Sequence, residues 1–275
     1  EVPLAAYQQM QEPYRGEDRQ TMLKLLHGLS THNYEESAEL VPEVFGISAS
    51  NLSRRFKKST VVQLRALRKR SLSGYDFIGI IIDGKRYAED GLLVALGITI
   101  DGTKVILDID QSHSENANVI VQLFDQLIER GLRFEEGLLF IVDGSKWIIA
   151  AIKKRFKEYA FIQRCQWHKL QNVTGYLNDS QKMLCKRQLQ AAYVQTTYRE
   201  AKAGLEKLYR ELQSVNQSAA SSLMEGMEET LTLHSLGLSL ELYKSLNTTN
   251  CMESIMSQLH HIAHMGIYRN TPSVG

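Results

Sequence analysis

The chain has 275 residues and a mass of 31.3 kDa, enough for one large domain or two modest ones. Its 43% hydrophobic and 23% charged residues are typical of a globular protein and exclude a fibrous or disordered chain. Thirty-two basic and 31 acidic residues leave a formal net charge of +1, an average that argues against a uniformly basic nucleic-acid binder. No apolar run reaches the roughly 18 residues of a membrane span, the polar start lacks a signal-peptide core, and three cysteines form no disulfide framework. We therefore expect an intracellular protein without membrane contact.

The near-zero net charge conceals segregated charges. Residues 51–70 hold eight basic residues and no acid, and residues 151–210 hold thirteen basic against four acidic residues. Residues 71–150 reverse the balance, with thirteen acidic against six basic residues. The pattern predicts phosphate-binding surfaces beside an acidic core.

The first 70 residues have helical periodicity. Apolar residues recur at helical spacing over Asp18 to Leu29 and Glu35 to Phe45, and Gly46 separates them from a second, basic helix that Ser48 can cap. This layout predicts a helix-turn-helix DNA-binding domain over residues 1–70, with a plain helical hairpin as the alternative. The DNA-binding side chains of the second helix would be Asn51, Arg54, Arg55 and Lys58.

The end of this region, from Val61 to Arg70, has no acidic residue. Its basic residues are Arg65, Arg68, Lys69 and Arg70. They fit either a solvated helix face or a linker that contacts phosphates.

From Tyr75 the sequence changes to a strand-like pattern. Three β-branched runs, Phe77 to Ile82, Gly91 to Ile100 and Lys104 to Ile109, predict antiparallel strands, and Asp101-Gly102 predicts the hairpin turn between the last two. The remaining elements are a helix from Ser114 to Gly131, a strand from Leu138 to Val142, a helix from Lys146 to Tyr159, a strand from Ala160 to Cys165, and helices from Gln166 to Met265.

The order β-β-β-α-β-α-β predicts an α/β protein with a ribonuclease H-like core, in which the first and fourth strands lie side by side. Asp83 follows the first apolar run and Asp143 the fourth, so both carboxylates would meet at one edge of the sheet. Two carboxylates can hold the pair of divalent ions used in phosphodiester chemistry. The alternative is that both Asp-Gly pairs are only turns.

Four motifs in order carry a family resemblance. They are IIIDGKR with Asp83, FIVDGSKW with Asp143, RCQWHKLQN with Cys165 and His168, and NTTNCMES from Asn247 to Ser254. Together they resemble the Mutator superfamily of DDE transposases, in its bacterial insertion-sequence branch, over about Leu40 to Asn270. The resemblance implies that Asp83, Asp143 and Glu253 are the catalytic acids and the ligands of two Mg²⁺ or Mn²⁺ ions.

The resemblance also implies a domain organisation. An N-terminal helical domain would occupy residues 1–70 and the first part of the ribonuclease H-like core residues 71–169. An all-helical insertion would occupy 170–245, and residues 246–275 would form the helix of the core that carries the third acid.

Cys165 and His168 form half of a zinc-site pattern, and His260, His261 and His264 could supply the rest from almost 100 residues away. We favour instead an auxiliary role in which Cys165 and His168 pack or hydrogen-bond beside the catalytic edge.

A second basic region begins at Lys153. Its core residues are Lys153, Lys154, Arg155 and Lys157, and Arg164, Lys169, Lys182, Lys186 and Arg187 continue it. We expect the core residues to bind DNA phosphates next to the acidic site, with a solvated helix face as the alternative.

The sequence thus predicts a DNA transposase of the bacterial cytoplasm and nucleoid. It would hydrolyse phosphodiesters at transposon ends and join the 3′-hydroxyl ends to target DNA. Its partners would be double-stranded DNA, as terminal inverted repeats and target, and a second copy in a homodimer. The alternatives are a ribonuclease H-like nuclease without strand transfer and an inactive, transposase-derived DNA-binding protein.

Overall fold

The computed structural model describes residues 64–87, 90–112 and 117–238, of which residues 64–69 are helical. The strands are β1 (Phe77–Tyr87), β2 (Asp90–Thr99), β3 (Lys104–Ser112), β4 (Leu138–Val142) and β5 (Ala160–Arg164). The α-helices that follow β3 are α1 (Ala117–Glu129), α2 (Lys146–Phe156), α3 (Gln166–Thr174), α4 (Asp179–Tyr193), α5 (Tyr198–Val215), α6 (Gln217–Met224) and α7 (Thr232–Ser235). Short 3₁₀ turns cover Lys157–Tyr159 and Glu228–Leu231. Over these described ranges, no helix is long and apolar enough to cross a bilayer.

The five strands form one mixed sheet in the order β3-β2-β1-β4-β5. β1, β2 and β3 pair antiparallel, whereas β4 pairs parallel with both β1 and β5. The prediction of an α/β protein with the first and fourth strands adjacent is therefore confirmed. Gly102 has a φ of +82° in the tight turn between β2 and β3, as its Asp-Gly sequence predicts.

Two predicted boundaries are wrong. β1 does not stop before Asp83-Gly84 but runs on to Tyr87, because β2 pairs with it as far as Asp90. The Asp-Gly pair at this position lies inside a strand and is no turn. α2 ends at Phe156, and the chain then tightens into a 3₁₀ turn in which Lys157 has a φ of +49°.

The sheet core lies on the face covered by α1 and α2. Inward positions alternate along the strands, as at Ile80 and Ile82 of β1 and Phe140 and Val142 of β4. Ile141, on the opposite face, is also buried, which explains why β4 is apolar at every position. The core gives the carboxyl end of β4 a rigid support.

Helices α3 to α6 share a second apolar core. Residues 230–233, which follow them, dock on β5 through polar contacts. The Gln163 amide donates to the carbonyl of Thr230 at 2.9 Å and accepts from the amide of Leu233 at 2.9 Å. The Thr232 hydroxyl donates to the carbonyl of Ile162 at 2.6 Å. The last of these bonds satisfies a backbone carbonyl of the edge strand β5, which another β-strand would otherwise pair.

Two of the basic residues at 65–70, Arg68 and Arg70, bind groups of strand β3. The Arg68 guanidinium pairs with Asp108 at 3.0 Å and Asp110 at 2.8 Å, and Arg70 donates to the carbonyl of Ile106 at 2.5 Å. Neither arginine fits the expected solvated face or phosphate linker, because strand β3 supplies its partners.

Candidate active site

Asp83 and Asp143 each directly follow one member of the last pair of residues that joins the parallel strands β1 and β4. Ile82 of β1 pairs with Val142 of β4, and each aspartate is the next residue along its chain. Adjacent strands are about 4.8 Å apart, and residues in the same row share one face of a sheet. Both side chains are half-buried. The structure thus places the two aspartates side by side where the parallel pairing of β1 and β4 ends.

A tight turn holds the Asp143 carboxylate. The amide of Ser145 donates to its Oδ1 at 2.8 Å, and Gly144 between them has a φ of +103°. The Arg164 guanidinium lies flat against Gly144, so that a Cβ at this position would be 2.0 Å from the Arg164 Nε. Glycine is required here both for the backbone conformation and for the close approach of the arginine.

Cys165 extends the row of aspartates by one strand. Its amide donates to the carbonyl of Val142 at 2.7 Å, which places Cys165 beside Asp143. Burial raises the pKa of its thiol; the amides of His168 and Trp167 oppose the shift, and the charges of both aspartates add to it. The thiol is therefore a neutral neighbour of the carboxylates when no metal is bound.

His168 follows in the first turns of α3, half-buried. Its ring meets Trp167 edge-on with centroids 5.0 Å apart. Its Nδ1 is buried and has no hydrogen-bond partner among the described residues. Within the same described ranges, no three His, Cys, Asp or Glu side chains are arranged to hold a metal ion.

Two cations that the sequence assigned to a DNA-facing region are buried, which corrects that expectation. Arg164 is 5% exposed and Lys169 only 1%. The Arg164 Nη1 donates to the carbonyl of Glu225 at 3.0 Å, while the Lys169 ammonium donates to the carbonyl of Ser222 at 2.7 Å and also to that of Glu225. Burial, reinforced by the charge of Arg164, lowers the pKa of Lys169 to about 8.

The ion pairs of Glu225 near Asp143 were not predicted from the sequence. Its carboxylate lies 3.3 Å from the Lys146 ammonium and 3.9 Å from the Arg164 Nη2. No periodicity or motif connects residues 146, 164 and 225, because the contact depends on how the segment after α6 docks on β5.

The basic residues at 153–157 lie at the far end of α2 from Asp143, which corrects the expectation that they adjoin the carboxylates. An 11-residue helix is about 16 Å long. Lys153 pairs with Glu229 at 3.2 Å, and Arg155 pairs with Asp125 at 2.5 Å. Lys154 lies 3.5 Å from the Asn118 amide oxygen, and Lys157 is exposed.

Several predicted site residues lie outside the described part of the chain. They are the third acid Glu253, the helix-turn-helix residues Asn51, Arg54, Arg55 and Lys58, and the histidines of the zinc alternative. The described donors are two carboxylates in one row, which is the hard oxygen chemistry that Mg²⁺ and Mn²⁺ prefer.

Comparisons with known proteins place the chain in a family. The sequence matches the family model described as "Transposase, Mutator family" over residues 9–274. It is 28% identical over 259 residues to the transposase for insertion sequence element ISRM5 of Rhizobium meliloti, covering 90% of this chain and 63% of that protein.

Two further relatives are also transposases by name. Identity is 25% over 266 residues with the transposase for IS256 in transposon Tn4001 of Staphylococcus aureus, covering 90% of this chain and 65% of that protein. It is 31% over 168 residues with the transposase for IS6120 of Mycolicibacterium smegmatis, covering 58% and 50%. The chain spans about half to two thirds of the length of these relatives. Because the family match extends over nearly the whole chain, the protein belongs to the Mutator family of transposases, whose matched relatives serve bacterial insertion sequences.

Proposed function

We propose that the protein is a DNA transposase of the DDE type, with Asp83, Asp143 and Glu253 as its catalytic acids. The observation that carries this proposal is that Asp83 and Asp143 directly follow paired residues of adjacent parallel strands in a Mutator family chain. The strand order β3-β2-β1-β4-β5 also supports a ribonuclease H-like core, and the helices that share the second apolar core would belong to the all-helical insertion proposed for residues 170–245.

The proposed chemistry has two steps. Water attacks a phosphodiester at the transposon end, the bond from phosphorus to the 3′ oxygen breaks, and that oxygen leaves as a 3′-hydroxyl. The 3′-hydroxyl then attacks a phosphodiester of target DNA, and the target's own 3′ oxygen leaves. Both steps transfer a phosphoryl group without a change in oxidation state.

The residues of the site fit this chemistry. When bound, two Mg²⁺ or Mn²⁺ ions would neutralise charge on the attacking and leaving oxygens. Asp83 and Asp143 would hold them from neighbouring strands, and the turn through Gly144 keeps the Asp143 carboxylate fixed against the Ser145 amide. Glu253 would complete the ligand set.

Duplex DNA is the proposed substrate, both as terminal inverted repeats and as target. Asn51, Arg54, Arg55 and Lys58 would contact the repeats, and the basic residues at 153–157 would bind phosphates away from the reacting bond. A homodimer would pair the two transposon ends.

The catalytic assignment predicts that Asp83→Asn and Asp143→Asn each lower cleavage of a transposon-end duplex by at least about 10³-fold, because an amide cannot provide the charge that holds the metal ions. Duplex binding should persist. Cleavage is measured on gels with Mg²⁺ or Mn²⁺, and binding by fluorescence anisotropy.

Asp101→Asn is the matched control, since Asp101-Gly102 is the same dipeptide in a hairpin turn and its carboxylate accepts bonds from Thr103. Cleavage that survives in the Asp83 and Asp143 variants would refute the site.

Pre-nicked ends separate the rival activities, because a nuclease without strand transfer gives no joined product.

A further inference from the structure

Positive side chains lie beside the turn that follows Asp143. Lys146, Arg164 and Lys169 all interact with the carboxylate of Glu225, and Lys169 is also influenced by that of Glu229. Glu229 itself pairs at 3.2 Å with Lys153, two turns further along α2. Cations at this position, next to the proposed site of phosphodiester chemistry, are suited to bind a DNA phosphate.

The start of α2 adds to this positive potential. Its first turn contains no acidic residue, although an acid is favoured at that end of a helix. The hydroxyl of its N-cap, Ser145, is buried without a hydrogen-bond partner in the described part of the chain. The backbone amides at a helix start are well suited to a phosphate group.

Arg164 is the second, independent sign of an anion. Its side chain is 6% exposed and lies between Gly144 and Gly226, yet its buried Nε has no hydrogen-bond partner among the described residues. Buried guanidinium groups normally have their donors satisfied, because a buried donor without a partner is destabilising. The unmet donor lies against the turn that leads from Asp143 into α2.

The ion pairs that Glu225 forms with these cations are weak. Its distances of 3.3 Å and 3.9 Å to Lys146 and Arg164 are longer than those of good charged hydrogen bonds, and its side chain is 47% exposed. It also follows directly after α6, the end of a helix where an acid is disfavoured. Burial alone would raise the pKa of Glu225, but Lys146, Arg164 and Lys169 outweigh it and lower the pKa, so the carboxylate is charged.

We propose that Lys146 and Arg164 bind a DNA phosphate next to the scissile one, and that the Glu225 carboxylate occupies this position until DNA displaces it. Lys146 is three residues beyond Asp143 and 87% exposed, so its ammonium can exchange one anion for another at little cost. Displacement of the Glu225 carboxylate would leave the Arg164 Nη2 free to meet the phosphate in its place. The inference rests on the proposed function, because it presumes that DNA reaches Asp143.

The experiment compares two ion pairs at opposite ends of the strands, Lys146 with Glu225 and Arg133 with Asp76. The affinity of the 275-residue chain for a short labelled duplex is measured by anisotropy in EDTA at several salt concentrations, so that cleavage does not intervene. Glu225→Gln should tighten binding by about three- to tenfold, since it removes a competing anion. Lys146→Ala should weaken binding by a similar factor and reduce the slope of log K against log salt by about one.

Asp76→Asn is the matched control, because it also removes one acid, breaks a pair of similar length with Arg133 just before β1, at the opposite end of the strands from Asp143, and should leave the affinity unchanged. Thermal unfolding of each variant checks that the fold persists. Equal affinities for Glu225→Gln and Asp76→Asn, or an unchanged salt slope for Lys146→Ala, would overturn the inference while leaving the catalytic proposal intact. If Asp143→Asn still cleaves but Glu225→Gln tightens binding, the catalytic proposal fails instead; if the unaltered chain binds no duplex, both fail.

Discussion

At the scale of single residues, Gly144 shows how the fold constrains the candidate site. We predict that Gly144→Ala destabilises the protein by about 2–4 kcal/mol, because a Cβ would add left-handed backbone strain to a clash with the Arg164 guanidinium. The free energy of unfolding is measured by urea denaturation. Cleavage should also fall, since the turn carries Asp143.

Gly102→Ala separates the two contributions. Gly102 has a similar φ of +82°, but a Cβ there meets nothing within 4 Å. Gly102→Ala should therefore lower the free energy of unfolding by only the backbone strain, about 1 kcal/mol. Equal losses at both glycines would show that Arg164 does not press against Gly144.

Asp83 and Asp143 could be predicted at this scale because each follows an apolar run of strand length. Arg164 could not: from the sequence it belongs to a basic region, whereas in the structure it is buried between two glycines 82 residues apart. Burial of a charged side chain depends on a distant segment, here the loop after α6, and leaves no local pattern.

At the scale of elements, Lys169 connects α3 with the end of α6. Its ammonium bonds to two carbonyls there, and its pKa of about 8 is below the 10.5 of an ordinary lysine. Below pH 8 the folded and unfolded chains both bind the proton, and the folded chain bears the cost of a buried charge. Between about pH 8 and 10.5 the folded chain releases the proton first, so stability rises with pH in that window.

We therefore predict that the free energy of unfolding of the unaltered protein rises relative to that of Lys169→Met by up to about 3 kcal/mol between pH 8 and 10.5. Other titrating groups act on both proteins and cancel in the difference. Urea denaturation at intervals of pH measures it. A difference that stays flat or falls would show that Lys169 is not held at a lowered pKa.

Element order was largely predictable, since apolar periodicity is local and distinguishes strand from helix. The predicted sequence of five strands and two intervening helices agrees with the structure. The length of β1 was not predictable, because Asp83-Gly84 is a turn signal that pairing with β2 overrides.

At the scale of the whole molecule, the net charge of +1 hides a division between binding surfaces and core. Some of the basic side chains form ion pairs within the fold, as Arg68 does with Asp108 and Arg155 with Asp125. The cations left to bind phosphates are consequently fewer than the sequence suggests, and Lys154 and Lys157 are the exposed members of the 153–157 group with no carboxylate partner among the described residues.

We predict that the double variant Lys154→Gln with Lys157→Gln lowers the salt dependence of duplex binding by up to about two in the slope of log K against log salt, one for each lost phosphate contact. Lys104→Gln, an exposed lysine of the acidic segment, should leave the slope unchanged. The slopes come from anisotropy titrations at several salt concentrations. If the double variant retains the full slope, Lys154 and Lys157 belong to a solvated helix face, and the DNA path must be sought at the other end of α2, where Lys146 begins the helix beside Asp143.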